Sequence, residues 1–233
     1  MSVAVSGLAQ RTTNATDSTV DDLRLGIVGA GKFGTTLARA AVAAGYDVAI
    51  SGSGPADDIA LTVAVLAPGA HAVTTPDVVR HAKTVVLAVP MHRFRELPPD
   101  LFAGRVLVDA TNYWEPVDGE DPELTAASNG TSMIVQGRFR SARVVKSLNQ
   151  LSYHQFEDHM RAKGAPDRIA IAAAGDDPAA VATVMRLVDR LGFDPIDAGP
   201  LKKGLALEPD GSPIATTYTA DQLANLFSHR ADR

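Results

Sequence analysis

Ten residues near the amino terminus constrain this chain more than any others. Residues 25–34 read LGIVGAGKFG, an apolar run that ends in Gly29-x-Gly31-x-x-Gly34. A helical pattern, Thr35 to Ala44, follows at once, with Gly45 placed to stop it and a second apolar run, Asp47 to Ile50, beyond. Strand, tight turn, helix and strand in that order make a dinucleotide-binding βαβ unit. Each glycine has its own task. Gly29 permits the turn, Gly31 lets backbone approach a pyrophosphate, and Gly34 lets the helix pack close to the strand. The amino-terminal N–H groups of the helix, and its dipole, then face the phosphates. The stretch Gly29, Ala30, Gly31, Lys32, Phe33 and Gly34 is therefore the expected pyrophosphate cradle.

The rest of the chain repeats the alternation. Strand-like runs are expected at His71–Thr74, Thr84–Val89, Arg105–Asp109, Ala142–Lys146, Arg168–Ala173 and Asp194–Asp197. Helices are expected at Asp57–Leu66, Thr75–Ala82, His154–Lys163, Pro178–Leu191 and Asp221–Phe227, with Thr75 as N-cap and Pro76 at the first helical position of the second. Continuous β-branched runs such as TVVLAV suit strands buried on both faces. The expected fold class is α/β: a Rossmann-type, doubly wound, mostly parallel sheet with a small C-terminal α/β lobe. Residues 1–21 read as a flexible leader, 22–150 as the nucleotide-binding domain, and 151–233 as the smaller lobe.

Composition excludes several classes. The 233 residues carry a net charge of −5, which argues against a general nucleic-acid binder. There is no cysteine, hence no disulfide, thiolate metal site or cysteine nucleophile. His154 and His159 are spaced badly for one helical face, so no metal site is expected. No apolar run is long enough for a membrane span. The leader lacks a basic n-region and an apolar h-region, so a cytoplasmic location is expected.

An acid for an NAD ribose would stand at the end of the second strand. That place reads Ile50-Ser51-Gly52-Ser53-Gly54 instead, and Ser51 and Ser53 can serve a 2′-phosphate, which favours NADP. Ligands bind beyond the carboxyl ends of parallel strands. There stand Val89, Pro90, Met91 and His92, then Asn112, Tyr113 and Trp114, then Lys146 and Asn149. Val89, Pro90 and Met91 would flank the cofactor, and Asn112 suits a nicotinamide carboxamide. Asn149 and Trp114 would meet a second ligand. His92, Tyr113 and Lys146 are the candidate proton donors. No hydrolase triad stands out.

Taken in order, GIVGAGKFG (26–34), AISGSG (49–54), VVLAVP (85–90), VLVDATN (106–112), ARVVKSLN (142–149), AAGDDPAAV (173–181) and LGFDPIDAGPL (191–201) make a recognisable set. The chain resembles the NADP oxidoreductase family that includes coenzyme F420-dependent NADP reductases, and the related nucleotide-binding domain of the Steap metalloreductases. The resemblance implies hydride transfer involving NADP(H) at the mouth of a Rossmann domain, with F420 as a possible co-substrate, and a homodimer. It implies Gly29, Gly31 and Gly34 at the pyrophosphate, Ser51 and Ser53 at the 2′-phosphate, Val89 and Pro90 beside the cofactor, and Asn112 near the nicotinamide. The chain departs from the family in carrying Gly52 and Gly54 where an arginine is common. It also departs in the acidic, proline-rich run Leu207 to Pro213. An NADP-dependent dehydrogenase of a small carbonyl compound, and a non-catalytic NADP-sensing module, stay open as alternatives. The partners expected are a small-molecule hydride donor or acceptor, with no nucleic acid and no membrane.

Overall fold

The computed structural model describes residues 23–209 and 216–228. The expected leader and the segment 210–213 of the acidic run lie outside those residues. The first half alternates strictly: β1 (Arg24–Val28), α1 (Lys32–Ala43), β2 (Asp47–Ser51), α2 (Asp57–Leu66), β3 (His71–Ala72), α3 (Thr75–His81) and β4 (Thr84–Leu87). After β5 (Val106–Asp109) come three short helices, α4 (Glu115–Asp118), α5 (Pro122–Thr125) and α6 (Thr131–Arg138), and then β6 (Arg143–Lys146). The remainder adds α7 (Tyr153–Asp158), β7 (Ala170–Gly175), α8 (Pro178–Arg190), β8 (Asp194–Gly199) and α9 (Ala220–Ser228). Two 3₁₀ turns, Met91–Glu96 and Leu201–Leu207, follow β4 and β8.

All strands join one sheet in the order β3-β2-β1-β4-β5-β6-β7-β8. Pairing is parallel from β3 to β6 and again between β7 and β8, while β6 meets β7 antiparallel. The Rossmann-type, doubly wound and mostly parallel sheet read from the sequence is thus the observed fold. Strand order reverses between β1 and β4, which opens a crevice at their carboxyl ends. The central strands β4, β5 and β6 are buried almost throughout, as their β-branched composition requires, while the edge strands β3 and β8 are partly exposed. One apolar cluster joins α1 (Leu37, Ala41) to β1, β6, β7 and α8 (Val184, Val188).

Some boundaries differ from the sequence expectation. The α3 N-cap is Thr74 rather than Thr75. Thr75 turns inward, and its hydroxyl lies 3.0 Å from that of Ser51. The helix expected over His154–Lys163 spans Tyr153–Asp158; Ser152 and Gln155 close a capping box at its start. It stops because Arg161 N–H turns to the carbonyl of Gly192 at 3.1 Å. The strand expected from Arg168 starts at Ala170. Arg168 is instead clamped by Asp189 at 2.9 Å and Asp194 at 3.1 Å.

Candidate active site

The three motif glycines have three different surroundings. Gly29 has φ +121°, and a Cβ there would stand 2.2 Å from the carbonyl oxygen of Ala88. A Cβ on Gly34 would stand 1.9 Å from the Gly29 oxygen. A Cβ on Gly31 would meet nothing within 4 Å. Gly29 and Gly34 are therefore glycine because the protein itself is in the way. Gly31 is not, so the space over it is available to a ligand. The first turn of α1 has no side-chain cap and no acidic residue. Its N–H groups stay open to an anion, and no carboxylate repels one. A dinucleotide pyrophosphate fits this cradle.

Lys32 and Phe33 flank the cradle but point elsewhere. The Lys32 ammonium lies 5.4 Å from the Tyr153 ring centroid, and Phe33 packs edge-on to Phe156 at 5.7 Å. These contacts fix the glycine turn against α7. Ala30 packs on the main core.

The loop after β2 divides its two serines. Ser51 is fully buried, with its hydroxyl on Thr75, whereas Ser53 is exposed. Of the two, the exposed Ser53 alone presents a surface to a 2′-phosphate. Asp58, in the first turn of α2, reaches back over Gly54, where a Cβ would lie 2.7 Å from its carboxylate oxygen. Asp58 therefore stands beside the loop that follows β2.

Val89 is half-buried and Pro90 exposed, and the amide nitrogen of Val89 lies 3.1 Å from the position of a Gly29 Cβ. The chain leaving β4 thus crosses directly over the glycine turn. Met91 is enclosed in the core, its sulfur accepting from the Thr111 hydroxyl at 3.0 Å. Met91 therefore presents no apolar surface to a ring.

Beyond β5 and β6, Asn112 and Asn149 hold each other. Asn112 Nδ2 donates to the Asn149 carbonyl at 2.9 Å, and Asn149 Nδ2 donates to Asn112 Oδ1 at 2.9 Å. Asn149 Oδ1 is buried without a hydrogen-bond partner among the described residues. An unpaired acceptor in such a place is costly unless a ligand or water donor meets it. A cavity of about 990 Å³ opens alongside, walled by Tyr113, Trp114, Thr131, Lys203, Leu205 and Glu208 among others. Trp114 forms its lip and is 60% exposed.

The three candidate proton donors fare differently. Lys146 is fully buried, 3.4 Å from the equally buried Asp109 carboxylate, and also donates to the Thr111 carbonyl. Asp109 accepts from Thr111 and from Ser132 at 2.5 Å. The Tyr113 hydroxyl donates to the Gly119 carbonyl at 3.0 Å and accepts from the Asp121 amide at 3.1 Å. His92 alone keeps its side chain 41% exposed. Its Nδ1 lies 2.9 Å from the Asp118 carboxylate.

Asp109, Asp118 and Glu208 were not singled out by sequence reasoning. For Asp109 a signal existed, an acid closing an apolar strand run. Glu208 caps α6, accepting from the Thr131 amide at 2.6 Å and hydroxyl at 2.9 Å. Burial pushes its carboxyl above the ordinary range, Lys146 and the Thr131 bonds oppose this, and Asp109 adds to it.

The nucleotide cradle, the β1/β4 crevice and the cavity beyond Asn112 lie along one edge of the sheet. Comparison with known proteins shows what part of this edge is similar to. The match is to an NADP oxidoreductase family. Residues 24–113 fit the family model described as NADP oxidoreductase, coenzyme F420-dependent. A crystal structure of a candidate F420-dependent NADP-reductase from Arthrobacter sp. FB24 superposes with a TM-score of 0.64 at 28% identity, covering 77% of this chain and 85% of that one. The metalloreductase STEAP3 of Rattus norvegicus is 25% identical over 189 residues, which is 79% of this chain and 36% of that protein. The protein YjhV of Escherichia coli K12 is 43% identical over 71 residues, 30% of this chain and 52% of that protein. The aligned stretches thus span about half or less of these curated relatives. The family resemblance read from the sequence motifs holds over residues 24–113. Among the described residues no helix is long and apolar enough to cross a membrane, and no group of His, Asp and Glu is arranged to hold a metal.

Proposed function

We propose that this protein is an oxidoreductase that moves a hydride between NADP(H) and a second ring cofactor or small substrate. The observation that carries this reading is the open space over Gly31, beside two glycines that the protein's own backbone requires. The bound nicotinamide would supply the two-electron chemistry. The chain's own part is to hold and orient. In this proposal the α1 amino terminus and Gly31 take the pyrophosphate, Val89 and Pro90 flank the ribose side, and the Asn112–Asn149 pair faces the carboxamide. Asn149 Oδ1 is the acceptor with a place to fill. The Trp114-lipped cavity takes the acceptor molecule. Orientation and water exclusion at about 3–3.5 Å between reacting carbons would supply most of the catalysis.

We retain residues 22–150 as the nucleotide-binding half and 151–233 as the lobe that closes the acceptor side. The NADP preference, the possible use of F420 and a cytoplasmic homodimer belong to the same proposal; sedimentation at micromolar concentration tests the last, and a monomer rejects it. Anaerobic mixing with NADPH and a panel of acceptors tests the activity. The panel holds 8-hydroxy-5-deazaflavin, FMN, a quinone and small carbonyl compounds, and nicotinamide absorbance is followed. Loss of that absorbance with one acceptor is expected. Tight NADPH binding with no turnover across the panel would leave a redox-sensing module instead.

A further inference from the structure

Hydride transfer to carbon leaves an electron pair on the neighbouring atom, and the pair needs a proton. Among the three side chains that could give one, Lys146 is sealed in an ion cluster and the Tyr113 hydroxyl is committed to loop backbone. His92 has what they lack. The Asp118 side chain is 2% exposed and accepts from three groups: His92 N–H at 3.0 Å, His92 Nδ1 at 2.9 Å and Trp114 N–H at 2.8 Å. A buried carboxylate on Nδ1 holds the proton there and turns Nε2 outward. The same carboxylate fixes the backbone of Trp114, the lip of the acceptor cavity. The segment that carries His92 leaves β4 across the glycine turn. Asp118 thus ties the imidazole to the backbone of Trp114, a residue that lines the cavity.

We propose that His92 is the proton donor for the hydride acceptor and that Asp118 is its positioning residue. This rests on the hydride-transfer function proposed above. It also names the acceptor class: a C=O, C=N or conjugated C=C–C=N compound, rather than a metal ion reduced one electron at a time. The acceptor carbon receives the hydride with two electrons from the reduced nicotinamide. The π electrons shift to the heteroatom at the far end of the C=O, C=N or C=C–C=N unit, and that atom takes the proton from imidazolium Nε2. Neutral His92 then regains a proton from water. Besides Asp118 on α4, the charged groups of its own turn are Arg93 and Glu96, which pair with each other, and Arg95, which pairs with Asp121 and Glu123.

Two measurements on the full chain decide the matter. In ¹⁵N-histidine-labelled protein, neutral His92 is expected as the Nδ1–H tautomer, assigned by its absence from His92→Gln. Asp118→Asn should shift it toward Nε2–H. A wild-type Nε2–H tautomer, or one that Asp118→Asn leaves unchanged, overturns the pairing. The second measurement is NADPH oxidation by 8-hydroxy-5-deazaflavin against pH. The wild-type rate should fall as pH rises. His92→Gln should be flat and at least about a hundredfold slower at the acid end, with NADPH affinity within twofold of wild type. Wild-type rate and pH profile in His92→Gln would sink the proposal, as would bound NADPH that never reduces the deazaflavin. Failure to bind NADPH at all would instead overturn the function proposed above.

Discussion

At the scale of the residue, Gly31 and Gly34 make opposite experiments of one motif. Gly34→Ala drives a methyl into the Gly29 carbonyl, and neither backbone can yield. Overpacking of that kind costs about 2 kcal/mol or more, which urea unfolding would register. Gly31→Val meets only open space at a backbone φ of −77° that any residue adopts. Its stability should change by less than about 1 kcal/mol, while NADPH affinity falls at least about tenfold by fluorescence titration. Unchanged affinity in Gly31→Val would remove the basis for the cofactor site. Asp58 supplies a second residue-scale test. Its carboxylate borders Gly54, where a relative would place an arginine, so it opposes a 2′-phosphate. Asp58→Asn should tighten NADPH binding several-fold and leave NADH binding as it was. Equal gains for both would show that Asp58 lies off the 2′ position.

Elements differ in how far their causes lie from them. The β1-α1-β2 unit was legible because glycines, apolar runs and turn all fall within one short stretch. For α2 the sequence reading Asp57–Leu66 matches the observed bounds, since its acids and its apolar run are local too. Helix α6 was not legible. It starts after Gly130 with no capping side chain of its own, and the group that satisfies Thr131 N–H is Glu208, 77 positions away. The site divides in the same manner. Its glycines could be read, but Asp118 acquires meaning only when folding brings His92 beside it. Glu208 also lends α6 a pH dependence. Its carboxyl titrates higher in the folded protein than its ordinary value, so folding is favoured most while it is protonated. That favour fades as pH rises through the raised value. Glu208→Gln should therefore gain stability relative to wild type in urea titrations as pH rises above the ordinary carboxylate range. A constant difference across that rise would mean that Glu208 titrates normally.

For the whole molecule, one continuous sheet outweighs the division proposed at residue 150. Ile169, Val184 and Phe193 from the later half share a core with Leu25, Leu37 and Ile50 from the earlier half. Halves that share a core should melt together. Far-UV circular dichroism and Trp114 fluorescence are expected to trace one coincident transition in denaturant; separate midpoints would show two folding units. A further consequence follows from the bond between Glu208 and Thr131. A protease that trimmed the carboxyl end back to Leu207 would withdraw the stopper of an upstream helix and unseat one wall of the acceptor cavity. Loss of that segment, α9 included, would then act on the candidate site from behind.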